Sequence, residues 1–245
     1  MKSFKDKVAV ITGAGSGMGR YLAVLLAKDG ADVCVCDVNE ETLKETVEML
    51  RKYNVSVSSH LLDVSNKEAI ESLPGKVIDQ HGKVDMVFNN AGVTTGTHFK
   101  DMDENNWDWV MGINFDGVIN STRAFIPHMV DSPEAAIVNT SSIFGMVAVP
   151  GQTVYHATKF AVRGFTESLA MEMKETNPNL QIHCVHPGHI GTNIAADARF
   201  DEANFNQDET QASNSIFTRN APKSQKEMGD MFLSLIHISE PTRPY

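Results

Sequence analysis

Short runs of Val, Ile, Leu and Ala alternate along the chain with longer stretches whose apolar residues recur every three or four positions. The runs near 7–12, 31–37, 84–89, 136–140 and 181–186, with another closing at 62–63, are short and mostly apolar, as strands covered on both faces are. Between them the spacing predicts helices over about 17–29, 39–53, from 65 or 66 onward, 104–129 and 153–174. In the first, Leu22, Leu25, Leu26 and Ala27 share one face. Asn39 is placed to cap the second, whose opening turn holds Glu40 and Glu41, where the helix dipole favours negative charge. Strand and helix in alternation predict an α/β fold: a doubly wound parallel sheet in three layers, with helices on both faces.

Composition narrows the class. At 245 residues, 42% hydrophobic and 21% charged, the chain has enough apolar material for one large domain, read here as 1–232. Its 31 acidic residues against 21 Lys and Arg give a net charge of -10, the wrong sign for neutralising phosphates, so nucleic acid is not an expected partner. Cys34, Cys36 and Cys184 are too few for a disulfide framework and point to a reducing cytoplasm. No membrane span or leader is expected: the longest uncharged stretch, 135–158, contains Asn139, Thr140, Ser141, Ser142, Pro150 and Gln152, which lipid would not tolerate.

Thr12-Gly13-Ala14-Gly15-Ser16-Gly17-Met18-Gly19 joins the first strand to the first helix. There glycines let the backbone turn tightly and approach a pyrophosphate at the helix N-terminus. Asp37 follows at the end of the second strand, suited to accept hydrogen bonds from both ribose hydroxyls of an adenosine. Its charge would repel a 2′-phosphate, and neither Ser16 nor Val38 offsets it, so NAD is expected rather than NADP. The alternative is a structural turn with Asp37 as a solvated strand end.

With its three-residue gap, Thr12-Gly13-x-x-x-Gly17-x-Gly19 resembles the cofactor loop of the short-chain dehydrogenase/reductase family. Further matches follow in the family's order. Asn89-Asn90-Ala91-Gly92 is similar to its sheet-stabilising turn, and Asp63-Val64 to the pair lying near adenine. Asn114, Ser142, Tyr155 and Lys159 resemble its catalytic tetrad, and Pro187-Gly188-His189-Ile190-Gly191-Thr192 the segment gripping the nicotinamide carboxamide. The resemblance, covering about 7–192, implies a Rossmann-like domain whose cofactor contacts include Gly13, Ser16, Gly17, Met18, Gly19, Asp37, Asp63, Val64, Asn90, Ala91, Gly92, Tyr155, Lys159, Pro187, Gly188, Ile190 and Thr192. It also implies a homo-oligomer. Lys159 would hold the nicotinamide ribose, and Asn114 would position a water linking Lys159 to solvent.

The chemistry can be argued from the residues themselves. Tyr155 and Lys159, four apart on a helix, share one face. A phenol titrates near about 10, and an adjacent ammonium together with an oxidised nicotinamide would favour the phenolate. Tyr155 would then be the general acid/base of hydride transfer between an alcohol and a ketone or aldehyde, with Ser142 hydrogen-bonding the substrate oxygen. Phe144, Met146, Val147, Val149 and His189 are expected to wall the pocket, implying an apolar small-molecule carbonyl substrate. Rival readings are a dinucleotide-binding regulator without turnover and an epimerase or dehydratase.

Other signals are weaker. His183 and His186 would face opposite sides of a strand, so no metal site is expected with His189; Cys34 and Cys36 read as small core hydrophobes; Trp107 and Trp109 would diverge on a helix. The polar stretch 192–222 could by composition be a linker and is read as a lid. Residues 233–245 (LSLIHISEPTRPY) resemble the translation of a sequencing-library adaptor. The native sequence is therefore expected to stop near Phe232, and the sheet to lack the family's last strand.

Overall fold

The computed structural model describes residues 3–188, 194 and 198–200. Strands β1 (Val8–Thr12), β2 (Asp32–Asp37), β3 (Val57–Leu61), β4 (Met86–Asn89), β6 (Ala135–Thr140) and β7 (Leu180–Val185) form a six-stranded sheet in the order β3-β2-β1-β4-β6-β7. Every pairing is parallel. From β1 the chain winds outward to β3, then returns to start again at β4. The carboxyl ends of β1 and β4 thus border the switch point, where open α/β sheets bind ligands.

Strand alternation divides the core into two layers. Ala9, Ile11, Val33, Val35 and Phe88 pack against α1 (Gly17–Lys28) and α2 (Glu40–Leu50) through Leu22, Leu26, Leu43 and Leu50. Val8, Val10, Val87 and Ile137 face the other way, towards Ile70, Leu73 and Val77 of α3 (Lys67–His81) and Phe125 of α5 (Gly117–Phe125). β1, β4 and β6 are buried throughout, which explains their unbroken apolar runs. The outer strand β3, with sequence VSSHL, has exposed positions and needs no such run.

Helix caps follow local chemistry. The Asn39 side chain accepts from Thr42 N at 3.1 Å, and of the two candidates for α3 it is Asn66 that caps, accepting from Ala69 N at 3.0 Å. α2 ends at Leu50, three residues short of the expected Tyr53.

The continuous helix expected over 104–129 is broken. α4 (Glu104–Met111) runs into a π-helical turn, Gly112–Asp116, before α5, and a 3-10 turn follows over Ile126–His128. Apolar spacing does not reveal one inserted residue. The long-range reason is Asn114, whose buried amide clasps both backbone groups of Val93. Two short strands went unforeseen: β5 (Thr95–Gly96) pairs in parallel with β8 (Arg199–Phe200). Between β6 and β7 the chain forms α6 (Thr153–Thr176). The expected tail at 233–245 lies outside the described residues, as does the expected lid at 192–222 except for 194 and 198–200. No helix among the described residues is long and apolar enough to cross a membrane.

Candidate active site

The glycine loop is fastened to its neighbours by backbone and short side chains. Thr12 Oγ1 accepts from Asn90 N at 3.0 Å and Ala91 N at 3.1 Å, while Asn90 Nδ2 donates to Thr12 O and Gly13 O. Gly13 and Gly17 adopt φ of 65° and 51°, the left-handed region that side chains resist. A Cβ on Gly13 would lie 2.8 Å from Ala91 Cα, and one on Gly19 would collide with Gly13 O. The turn therefore stays concave and open to a ligand. Behind Ser16, the N-terminal turn of α1 contains no acidic residue, so its backbone N–H groups fit an anionic group such as a pyrophosphate.

Arg20, which sequence reading missed, completes this frame. Its guanidinium donates to Gly15 O, to Thr42 O at 2.9 Å and to Glu45, and its Nε reaches Thr46 Oγ1 at 2.9 Å. Thr46 in turn donates to Ala14 O at 2.8 Å. Asp37 stands at the mouth of the loop: Oδ2 accepts from Gly15 N at 2.8 Å and Oδ1 from Asn39 N at 2.9 Å. Each oxygen keeps lone-pair capacity on its other side. Asp63 Oδ1 is engaged by the Ser65 amide and hydroxyl, and Val64 is buried against Gly117.

Ser142, Tyr155 and Lys159 converge at the ends of β6 and α6. Ser142 Oγ accepts from Phe144 N at 3.1 Å, Pro187 O accepts from Ile143 N at 2.9 Å, and His186 Nδ1 lies 3.2 Å from Ser142 O. These bonds pin the strand end. Burial pushes the Tyr155 phenol above its ordinary value, opposed by a hydrogen bond with Ser142. Lys159, 3% exposed, donates to Thr140 O at 3.0 Å and sits 5.5 Å from the Tyr155 ring centroid. Burial lowers its ammonium to about 8, with Cys184 acting weakly in the other direction.

The i,i+4 spacing does bring Lys159 to Tyr155, and in the protein alone burial is what moves the phenol upward. Asn114 differs in emphasis. Its Oδ1 accepts from Val93 N at 2.8 Å, and both Nδ2 protons are engaged, by Val93 O at 2.9 Å and Thr158 Oγ1 at 3.3 Å. The side chain is thus part of the frame, beside Gly92 and Lys159.

Pro187 and Gly188 follow β7 next to this cluster, whereas His189, Ile190 and Thr192 lie outside the described residues. Of the two tryptophans neither is a core anchor: Trp107 meets Phe99 edge-on and Trp109 lies under Arg199, 3.7 Å from its ring centroid. Also unforeseen is His156, buried beside the Phe144 and Tyr155 rings.

A family model described as short chain dehydrogenase matches residues 7–203. The chain belongs to this family. Among curated proteins, this short-chain dehydrogenase is 43% identical over 203 residues to SadH of Mycobacterium tuberculosis, named as an oxidoreductase, covering 81% of this chain and 72% of that one. It is 36% identical to the 3-oxoacyl-[acyl-carrier-protein] reductase FabG of Thermotoga maritima, covering 77% and 76%. Among solved structures, a Burkholderia phymatum short-chain dehydrogenase/reductase in complex with NAD superposes with a TM-score of 0.88 at 33% identity, covering 96% of this chain and 87% of that one. As a member of the family the chain is an oxidoreductase.

Proposed function

We propose that this short-chain dehydrogenase uses NAD to interconvert a secondary alcohol and a ketone, or a primary alcohol and an aldehyde, with Tyr155 as general acid/base. The observation that carries this reading is the buried Ser142–Tyr155 pair with the Lys159 ammonium beneath the ring. In the oxidative direction Tyr155 takes the hydroxyl proton while Ser142 donates a hydrogen bond to the substrate oxygen; in reverse Tyr155 returns the proton to the forming alkoxide. With its proton held up to about pH 8, Lys159 is cationic at neutral pH and counters the burial that opposes a phenolate. Bound, the oxidised dinucleotide supplies the two-electron acceptor and a ring cation.

Gly13, Ser16, Gly17, Met18 and Gly19 would carry the pyrophosphate, Asp37 the adenosine ribose, Asp63 and Val64 the adenine. Asn90 to Gly92, Lys159, Pro187 and Gly188 would flank the nicotinamide end. NAD binding by the Burkholderia relative supports this assignment, as does Asp37, whose charge disfavours a 2′-phosphate. The mouth bears Ile143, Met146, Val147 and Val149, all exposed, which favours an apolar carbonyl compound of modest size.

The test follows NADH absorbance against a panel of ketones and aldehydes. Tyr155→Phe is expected to lower kcat/KM about 10²–10⁴-fold while NADH binding, read by fluorescence, is unchanged. Equal turnover by the variant removes Tyr155 from this role.

A further inference from the structure

We propose that His156 is a positioning residue whose two ring nitrogens clamp the turn at 149–152 and thereby set the apolar rim of the substrate mouth over Tyr155. The inference rests on the reading of that mouth as the substrate site.

The segment 143–152 joins the two groups that would meet the substrate oxygen. It leaves Ser142 as a 3-10 turn over Ile143–Gly145 and enters α6 at Gln152, which has no side-chain cap. Beyond Val147, whose N–H still reaches Ile143 O, the segment is held from outside itself. Thr97 N donates to Gly151 O at 3.0 Å as part of a parallel bridge between Thr97 and Gln152, and His156 adds two side-chain ties. Val149 N donates to His156 Nε2 at 3.1 Å, and His156 Nδ1 lies 2.6 Å from Gln152 O.

The chemistry of the partners dictates the ring's state. A carbonyl only accepts, so Nδ1 carries the proton; an amide N–H only donates, so Nε2 offers its lone pair. Only the neutral Nδ1–H tautomer makes both bonds. The ring itself is buried, 4.9 Å from the Phe144 ring and edge-on to Tyr155 at 6.5 Å. One side chain thus ties the exposed Val149, which follows the exposed Met146 and Val147, to the helix turn that presents the phenol. Its loss frees the rim without touching the glycine loop, so it should act on substrate binding more than on the proton-transfer step.

His156→Phe keeps the ring volume and aromatic contacts and removes both hydrogen bonds. His156→Gln offers a donor and an acceptor on one amide. For ketones large enough to reach the rim, His156→Phe is expected to raise KM about tenfold, the size of one hydrogen bond. Its kcat should stay within about threefold and NADH affinity should be unchanged, with part of the KM effect recovered in His156→Gln. Nitrogen-15 NMR of the wild type is expected to report the Nδ1–H tautomer, and amide exchange at Val149 should accelerate in His156→Phe. An Nε2–H tautomer, an unchanged KM in an active His156→Phe enzyme, or a parallel loss of NADH affinity overturns the proposal. A wild type inactive on every carbonyl compound would instead remove the assigned reaction, and the tautomer and Val149 exchange would then decide the clamp alone.

Discussion

The glycine loop and the segments around the substrate mouth both lie at the carboxyl ends of the strands, yet they are held in opposite ways. In the loop, Asn90, Thr46, Arg20 and Asp37 engage successive backbone groups from 12 to 15, while Thr12 Oγ1 accepts from Asn90 N. Around the mouth, Thr94, Thr95 and Thr97 Oγ1 and Gln152 Oε1 are buried with no hydrogen-bond partner among the described residues, as is Asn90 Oδ1 beside the loop. Beside them, Met146 and Val147 are about half exposed, at 48% and 51%. Buried polar atoms normally find partners. A region that leaves four side-chain oxygens unpaired and exposes apolar side chains keeps the capacity to meet a ligand, whereas the loop's backbone from 12 to 15 is held by neighbouring groups even though Asn90 Oδ1 stays free of partners among the described residues. The contrast suits an enzyme whose cofactor is constant and whose substrate is the variable part.

The rigid side should tolerate least change. Gly19→Ala would place a methyl against Gly13 O and 2.7 Å from Asn90 Nδ2, and the first of these is backbone that no rotamer can move aside. Overpacking of this kind costs about 1–3 kcal/mol, and the displaced loop should weaken NADH binding on the order of 100-fold. Fluorescence titration with NADH measures this. An affinity within threefold of wild type would mean that the loop is pliable and the contrast between the two regions is wrong.

How far each region could be read in advance follows from the same distinction. Val8–Thr12, its glycines and Asp37 were legible because residue type and local order decide them: Gly readily adopts the left-handed conformations of Gly13 and Gly17, which most side chains resist. The π turn at Gly112–Asp116 was not, since its cause, the clasp of Asn114 on Val93, spans 21 residues and leaves the apolar spacing nearly intact. The pairing of β5 with β8 is likewise non-local. Spacing correctly brought Tyr155 and Lys159 together, but it does not measure burial, which pushes the phenol up in the protein alone. His156 escaped notice because its work is done on backbone groups, and those are the same in every sequence.

Lys159 gives a second way to sharpen the comparison, because the reacting side holds an ammonium that burial disfavours. Held at about 8 against an ordinary 10.5, the group loses its proton more readily folded than unfolded. The resulting destabilisation is complete below pH 8, where both states carry the charge, and fades as pH rises from 8 to 10.5. Lys159→Met should abolish turnover yet raise stability at pH 7 by about 1–2 kcal/mol, the relief of a buried charge less the loss of its bond to Thr140 O. Thermal unfolding across pH measures it: the gain should shrink towards pH 10.5. A variant less stable than wild type at pH 7 would mean that the ammonium is a structural tie and not a strained functional group.

Asp37 has the smallest expected effect and the finest resolution, because its carboxylate is both frame and candidate ligand. Oδ2 holds Gly15 N and Oδ1 holds Asn39 N, so Asp37→Ala removes two backbone ties together with the charge. The expected result is a roughly tenfold weaker NADH and a stronger NADPH, about 1.4 kcal/mol. Asp37→Asn comes nearer to separating the causes: it keeps the shape and one acceptor oxygen, and loses the charge that would repel a 2′-phosphate together with one of the two backbone ties. If charge governs the choice, Asp37→Asn improves NADPH binding as much as Asp37→Ala does while retaining more NADH affinity. If Asp37 serves only to fasten Gly15, neither variant binds NADPH better, because a loosened loop favours no particular phosphate pattern.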